Sequence, residues 1–173
     1  MKKALLATVG LLFMLIATAC SGNSSEEIAE QDIKDMVEEY SVGSFEGVSA
    51  SITSQELIVT NTNLKQITYD LPEDEFFVSI APFVKTTHPC AIHSLTGCQG
   101  ELVEQKFDVY IQDEEGNVII DESMESLANG FIDFWLPRNK TFQVKIEHNG
   151  KTAMSEISTF EGDNTCITTM QLM

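Results

Sequence analysis

Phe131-Ile132-Asp133-Phe134-Trp135-Leu136-Pro137-Arg138-Asn139-Lys140-Thr141-Phe142-Gln143-Val144-Lys145-Ile146-Glu147-His148-Asn149-Gly150-Lys151 carries the plainest β signal in the chain. Ile132, Phe134 and Leu136 alternate with Phe131 and Trp135, so a period of two puts the first set on one face and the second on the other. Pro137 to Lys140 turns the chain, and Phe142, Val144 and Ile146 resume the alternation. Asn149-Gly150 predicts a two-residue hairpin, because both central positions of such a turn take positive φ, which these residue types tolerate best.

The same pattern extends in both directions. Phe107, Val109 and Ile111 alternate with polar neighbours, Asp113-Glu114-Glu115-Gly116-Asn117 predicts a turn, and Val118-Ile119-Ile120 returns. Residues 101–160 therefore read as a set of short strands spaced as in a small antiparallel sandwich. Upstream, Ser49 to Ser54 and Leu57-Ile58-Val59-Thr60 predict two more strands, and Asn61-Thr62-Asn63 a turn from which Gln66 to Tyr69 pairs back. Phe76 to Val84 is strongly apolar. Glu26 to Tyr40 predicts a helix, capped by Ser24 or Ser25, with acidic Glu26 and Glu27 in its first turn. Its stripe of Ile28, Ile33, Met36, Val37 and Tyr40 must dock on the body or on a second subunit, since a lone short helix is marginal in water. The fold class expected is α+β, mainly β: an N-terminal helix and short strands, followed by a small antiparallel β-sandwich. The sandwich is expected to be transthyretin-like or immunoglobulin-like, and its rhythm resembles transthyretin-like or carboxypeptidase-regulatory sandwiches.

The N-terminus reads as an export signal. Lys2 and Lys3 precede an apolar run from Ala4 to Ala19, and Ala17-Thr18-Ala19-Cys20 resembles the acylation site of bacterial lipoproteins. The expected organisation is a lipoprotein signal peptide over 1–19, with Cys20 lipidated, and a tether over 20–27. A helical and strand region over 28–80 offers a dimerisation surface, and the Cys/His loop and β-sandwich occupy 81–173. The 173 residues carry 10 basic and 27 acidic side chains, a net charge of −17. Such a surface repels nucleic acid and anionic headgroups, so a lipid anchor rather than a basic patch is the expected membrane contact.

Export changes the meaning of the thiols. Beyond Cys20 the chain has Cys90, Cys98 and Cys166, and His88 and His93 lie beside the first pair in His88-Pro89-Cys90-Ala91-Ile92-His93-Ser94-Leu95-Thr96-Gly97-Cys98. Three thiols cannot all pair within one monomer. One stays free, bridges two chains or shares a metal. Pro89 and Gly97 place the segment in a turning loop. Thiolate with imidazole suits Cu(I), Zn(II) and, through imidazole, Cu(II). Two or three soft ligands satisfy Cu(I), whereas zinc takes four. A disulfide with one spare thiol remains the ordinary alternative outside the cytoplasm. His148 reads as structural or exposed, Met124 and Met154 as core or surface, and Met170 as packing rather than a thioether ligand. Asp113 to Gly116 lacks the oxygen spacing of a calcium loop. Ser94 beside His93 has no nucleophile elbow, and the absent Cys-x-x-Cys pair argues against thioredoxin-like chemistry.

Three blocks are similar to the CueP family of bacterial envelope copper-binding proteins. They are His88 to Glu101, Asn129 to Arg138, and Ser158-Thr159-Phe160 running into Asp163 to Leu172. The resemblance spans roughly residues 30–172. It implies a copper-resistance protein outside the cytoplasmic membrane whose three cysteines fall on Cys90, Cys98 and Cys166. It further implies binding of copper, reduction of Cu(II) to Cu(I), a homodimer, and delivery to a recipient such as a copper-containing superoxide dismutase. Reduction by thiols would be stoichiometric and need not make the protein an enzyme. The lipid anchor departs from the soluble members of that family.

Overall fold

The computed structural model describes residues 30–173. The leader, Cys20, the tether and the first residues of the expected helix lie outside the described residues. Among those described, one helix and eleven strands follow each other: α1 (Glu30–Val42), β1 (Ser49–Ile52), β2 (Glu56–Thr60), β3 (Gln66–Asp70), β4 (Glu75–Ile80), β5 (His93–Ser94), β6 (Lys106–Asp113), β7 (Val118–Glu125), β8 (Ile132–Pro137), β9 (Thr141–His148), β10 (Lys151–Ser158) and β11 (Cys166–Ile167). They form three sheets, ordered β3-β2-β1-β5, β10-β9-β6-β7 and β11-β4-β8. The protein is mainly β, as expected, and no helix among the described residues is long and apolar enough to cross a membrane.

The hairpins fall where the turn chemistry puts them. Asn149 and Gly150 have φ of 50° and 75°, and His148 pairs with Lys151 across the turn from β9 to β10. At the β6–β7 turn Asp113 accepts hydrogen bonds from the backbone N–H groups of Glu115 (3.1 Å) and Asn117 (2.9 Å), and from the Asn117 side chain (3.0 Å). Lys140, from the turn before β9, closes on the same carboxylate at 2.9 Å. Together the Asn117 side chain, first, and Lys140 hold the Asp113 carboxyl well below the usual carboxylate range. A depressed folded pKa gives stability that is present above the unfolded value of about 3.9 and is lost as pH falls through the folded value. Asp113→Asn is therefore expected to melt below the parent at pH 7, with the gap narrowing once the pH drops under about 3.9. Thermal unfolding of both proteins across that range checks it.

Packing places β4 at the centre. All but its first residue are buried, because the strand has a partner layer on each face. Phe76, Val78 and Ile80 point with Ile132, Phe134 and Leu136 of β8 into the main core, against Phe107, Val109 and Ile111 of β6 and Phe142, Val144 and Ile146 of β9. Met170 and Leu172 of the tail close that core, so Met170 packs rather than ligates. On the opposite face Phe77 and Trp135 meet Ile33 and Val37 of α1, Ala50, Ile52, Leu57 and Val59 of the first sheet, and Leu95. The helix stripe thus docks on the body of its own chain. Each large side chain so buried contributes about 1.5–3 kcal/mol relative to exposure.

The central sheet also differs from a simple antiparallel layer. β11 runs parallel to β4, with Cys166 opposite Ser79 and Ile167 opposite Ile80. The tail continues alongside, Leu172 donating its N–H to Phe83 O at 2.8 Å. That return brings the C-terminus back beside the segment that leaves β4, which is the Cys/His loop.

Candidate metal centre

The loop from 84 to 101 is fixed at several points along its length. At its base, Glu101 accepts the backbone N–H groups of Val84 (2.6 Å), Lys85 (2.9 Å) and Thr86 (3.3 Å). These bonds, Lys85 first, hold its carboxyl below the ordinary range. Thr87 donates to Thr168 O at 2.6 Å. At the far end Gly100 donates to Asn129 O at 2.6 Å. A Cβ on Gly100 would stand 2.5 Å from Gly130 O, and Gly130 itself has φ of +80°. Only two glycines permit this backbone approach, which ties the residue after Gln99 to the entry of β8.

The middle of the loop is pinned to the first sheet and to the tail. His93 pairs with Ile52 and Ser94 with Ser51. Thr165 accepts the His93 N–H at 3.0 Å and donates its hydroxyl to Ile52 O at 2.6 Å. Thr165 and Cys166 both donate backbone N–H groups to Ala91 O, at 3.0 and 3.2 Å. Ser94 O accepts from Cys98 N at 2.9 Å, the tight turn that Gly97 allows. Strand pairing and a buried threonine thus bring residues 93, 98 and 166 together although the chain separates them widely.

All five sequence candidates converge. The Sγ atoms of Cys90 and Cys98 lie 3.5 Å apart, and His93 Nδ1 stands 3.4 Å from Cys166 Sγ. Two groups of potential ligand atoms result, each with every member within 4.8 Å of the others: His88, Cys90 and Cys98, and His93, Cys98 and Cys166. Cys98 belongs to both. The first group is half-exposed throughout, while His93 and Cys166 are buried. All three thiols are free. His148 belongs to neither group; its Nδ1 meets Lys106 O at 2.8 Å instead.

The thiols are not equivalent. Cys98 is held well below the ordinary thiol range, by the Cys166 thiol first and by His93 and His88 as well, against the cost of burial. Cys166 is pushed up, by the Cys98 thiolate first and by burial. Burial, above all, raises Cys90, whose thiol also lies 3.3 Å from Ile92 O. Within the trio Cys98 is the position at which the neighbouring thiol and imidazoles favour the thiolate form.

The surroundings contain residues that spacing alone did not single out as part of the site. Phe131 is fully buried with Ala81 and Cys166, and Cys90 and Cys98 pack against this cluster. Its ring centroid lies 4.5 Å from that of His93 and 6.4 Å from that of His88. Asp133 bonds Ser79, and accepts from Ser41 of α1 at 2.8 Å. Burial raises its carboxyl pKa, opposed first by Ser79 and then by the neighbouring His93. His93 is 0% exposed, and its Nε2 has no hydrogen-bond partner among the described residues. Such an orphaned buried nitrogen is costly for a purely structural histidine. Sulfur and imidazole at this spacing fit a soft metal ion in two- or three-fold coordination.

Comparison with known proteins agrees with this donor set. The family described as periplasmic copper-binding protein CueP matches residues 32–171. A crystal structure described as that of S.CueP is similar over 86% of this chain and 91% of its own, with 38% sequence identity and a TM-score of 0.77. No curated protein matches.

Proposed function

Because the chain belongs to the CueP family of periplasmic copper-binding proteins, we propose that it binds copper outside the cytoplasmic membrane, reduces Cu(II) to Cu(I) with its own thiols, and buffers or passes on the product. The observation that carries this reading is the convergence of three free thiols and two imidazoles on one loop and its returning tail. Cu(II) meets imidazole at His88, on the half-exposed side. The Cys90 thiol and the Cys98 thiolate then give up one electron each to two Cu(II) ions, releasing one proton and closing one disulfide. The 3.5 Å approach of Cys90 and Cys98 suits that closure after a small movement. An external thiol reductant restores the pair, and Cu(I) is then held among Cys90, Cys98 and Cys166. Three-member ligand groups favour Cu(I) over zinc, which takes a fourth.

Delivery would proceed to a copper-receiving protein such as a superoxide dismutase. Lipidation at Cys20 would confine the exchange to a membrane surface, and a homodimer would present two such loops. The test is anaerobic titration of the reduced full-length protein with Cu(II), read with a Cu(I)-selective chromophore and a thiol count. Two Cu(I) formed per two thiols lost is the expected result. No Cu(I) signal, or the same signal in a Cys98→Ser, Cys166→Ser double variant, removes the reductase reading. Competition between Zn(II) and Cu(I) separates the zinc alternative.

A further inference from the structure

The two ligand groups differ in the way a transfer route would require. His88, Cys90 and Cys98 are all half-exposed, whereas His93 and Cys166 are buried; Cys98 belongs to both sets, and the Cys90 and Cys166 thiols also interact with each other across them. Both imidazoles rest against Phe131, the nearer being the buried His93. The inner residues are held rigidly, by the β1–β5 pairing at His93 and the β4–β11 pairing at Cys166. Cys90 has no such strand partner and sits between the exposed residues Pro89 and Ala91.

We propose that this loop holds one Cu(I) at either of two stations, an outer one at His88, Cys90 and Cys98 and an inner one at His93, Cys98 and Cys166, and that the ion moves between them without leaving Cys98. The inference rests on the copper reading above. Cu(I) is stable with two or three soft ligands, so an incoming sulfur can bind before the outgoing one departs. On the inward step bonds to Cys166 and His93 form as those to Cys90 and His88 break. Cys166 releases its thiol proton and Cys90 takes one up, so charge and protons balance and copper stays Cu(I). The outer station faces solvent and trades with chelators or a thiol-bearing acceptor. The inner station stores the ion out of reach of both. Cys90 is accordingly the gate, and Cys166 with His93 the lock.

The kinetics of release separate these roles. The full-length reduced protein is loaded with one equivalent of Cu(I) and mixed by stopped flow with bathocuproine disulfonate in excess. Cys90→Ser is expected to slow release about tenfold, because the stored ion loses its exit ligand; Cys166→Ser is expected to speed it about tenfold, because no store remains. His93→Gln supplies a second inner-station variant in case serine at 166 loosens the core, and is expected to act in the direction of Cys166→Ser. Faster or unchanged release from Cys90→Ser overturns the proposal and leaves a single three-sulfur site. If the parent protein takes up no Cu(I) at all, it is the copper reading that fails, and the loading step shows this before any release is measured.

Discussion

Replacing Cys98 with serine is expected to weaken Cu(I) binding by more than about 100-fold, since even partners that only orient a metal's ligands are worth about 10–100-fold. Cys98 is the one residue common to both ligand groups. Losing Cys90 leaves His93, Cys98 and Cys166, and losing Cys166 leaves His88, Cys90 and Cys98, but losing Cys98 leaves neither. Its ionised form is also favoured, by the Cys166 thiol first and then the two imidazoles, and the thiolate is the form that binds metal. A serine hydroxyl is neither soft nor ionised at neutral pH. Competition against a Cu(I) chelator of known affinity measures the effect. A loss from Cys98→Ser no larger than that from Cys90→Ser would mean that the shared position is not the pivot.

Phe131→Ala is expected to cost about 3–5 kcal/mol of folding stability, the usual range for truncating a buried phenylalanine. Phe131 is 0% exposed and joins three things at once. It packs with Ala81, with Cys166, and with the rings of His93 and His88. The neighbouring Gly100–Gly130 contact limits how far the backbone can collapse into the space left, which argues for the upper part of that range. Because the cavity opens beneath the thiols, Cys166 should also become reactive towards an alkylating reagent in the folded protein. Denaturant titration gives the first quantity and alkylation under native conditions the second. A stability loss with Cys166 still protected would make Phe131 core only, with no role in shaping the site.

The hairpins were legible because their signals are local. Alternation over 131–146 and Asn149-Gly150 need no information from elsewhere, and both appear as read. The stripe of α1 was legible too, with Ile33 and Val37 buried as the helical period requires. The layering was not. Residues 76–80 are apolar apart from Ser79, and such a run shows burial on both faces without saying what covers each. One cover is β6 and β9, the other α1 and the first sheet. The parallel return of β11 onto β4 rests on contacts across more than 80 residues, which no window of sequence displays.

The site divides in the same way. Its candidate donors are chemically conspicuous, so Cys90, Cys98, Cys166, His88 and His93 could be singled out from residue type and spacing. Its supports are ordinary residues made special by position. Thr165 matters because its hydroxyl joins His93 to Ile52, Glu101 because three N–H groups converge on it, and Gly130 because it meets Gly100. The Gly-Glu pair at 100–101 and the Asn-Gly pair at 129–130 were the available signals, and both are also common turn residues.

X-ray absorption at the copper edge, on the reduced full-length protein loaded with one equivalent of Cu(I), tests the convergence of the tail and the mid-chain loop most directly. Two sulfur neighbours with one imidazole nitrogen, kept in Cys90→Ser because Cys166 of the tail then supplies the second sulfur, and reduced in sulfur count by Cys98→Ser, is the predicted spectrum. A copper surrounded by nitrogen and oxygen alone, or a sulfur shell indifferent to Cys98→Ser, would contradict it.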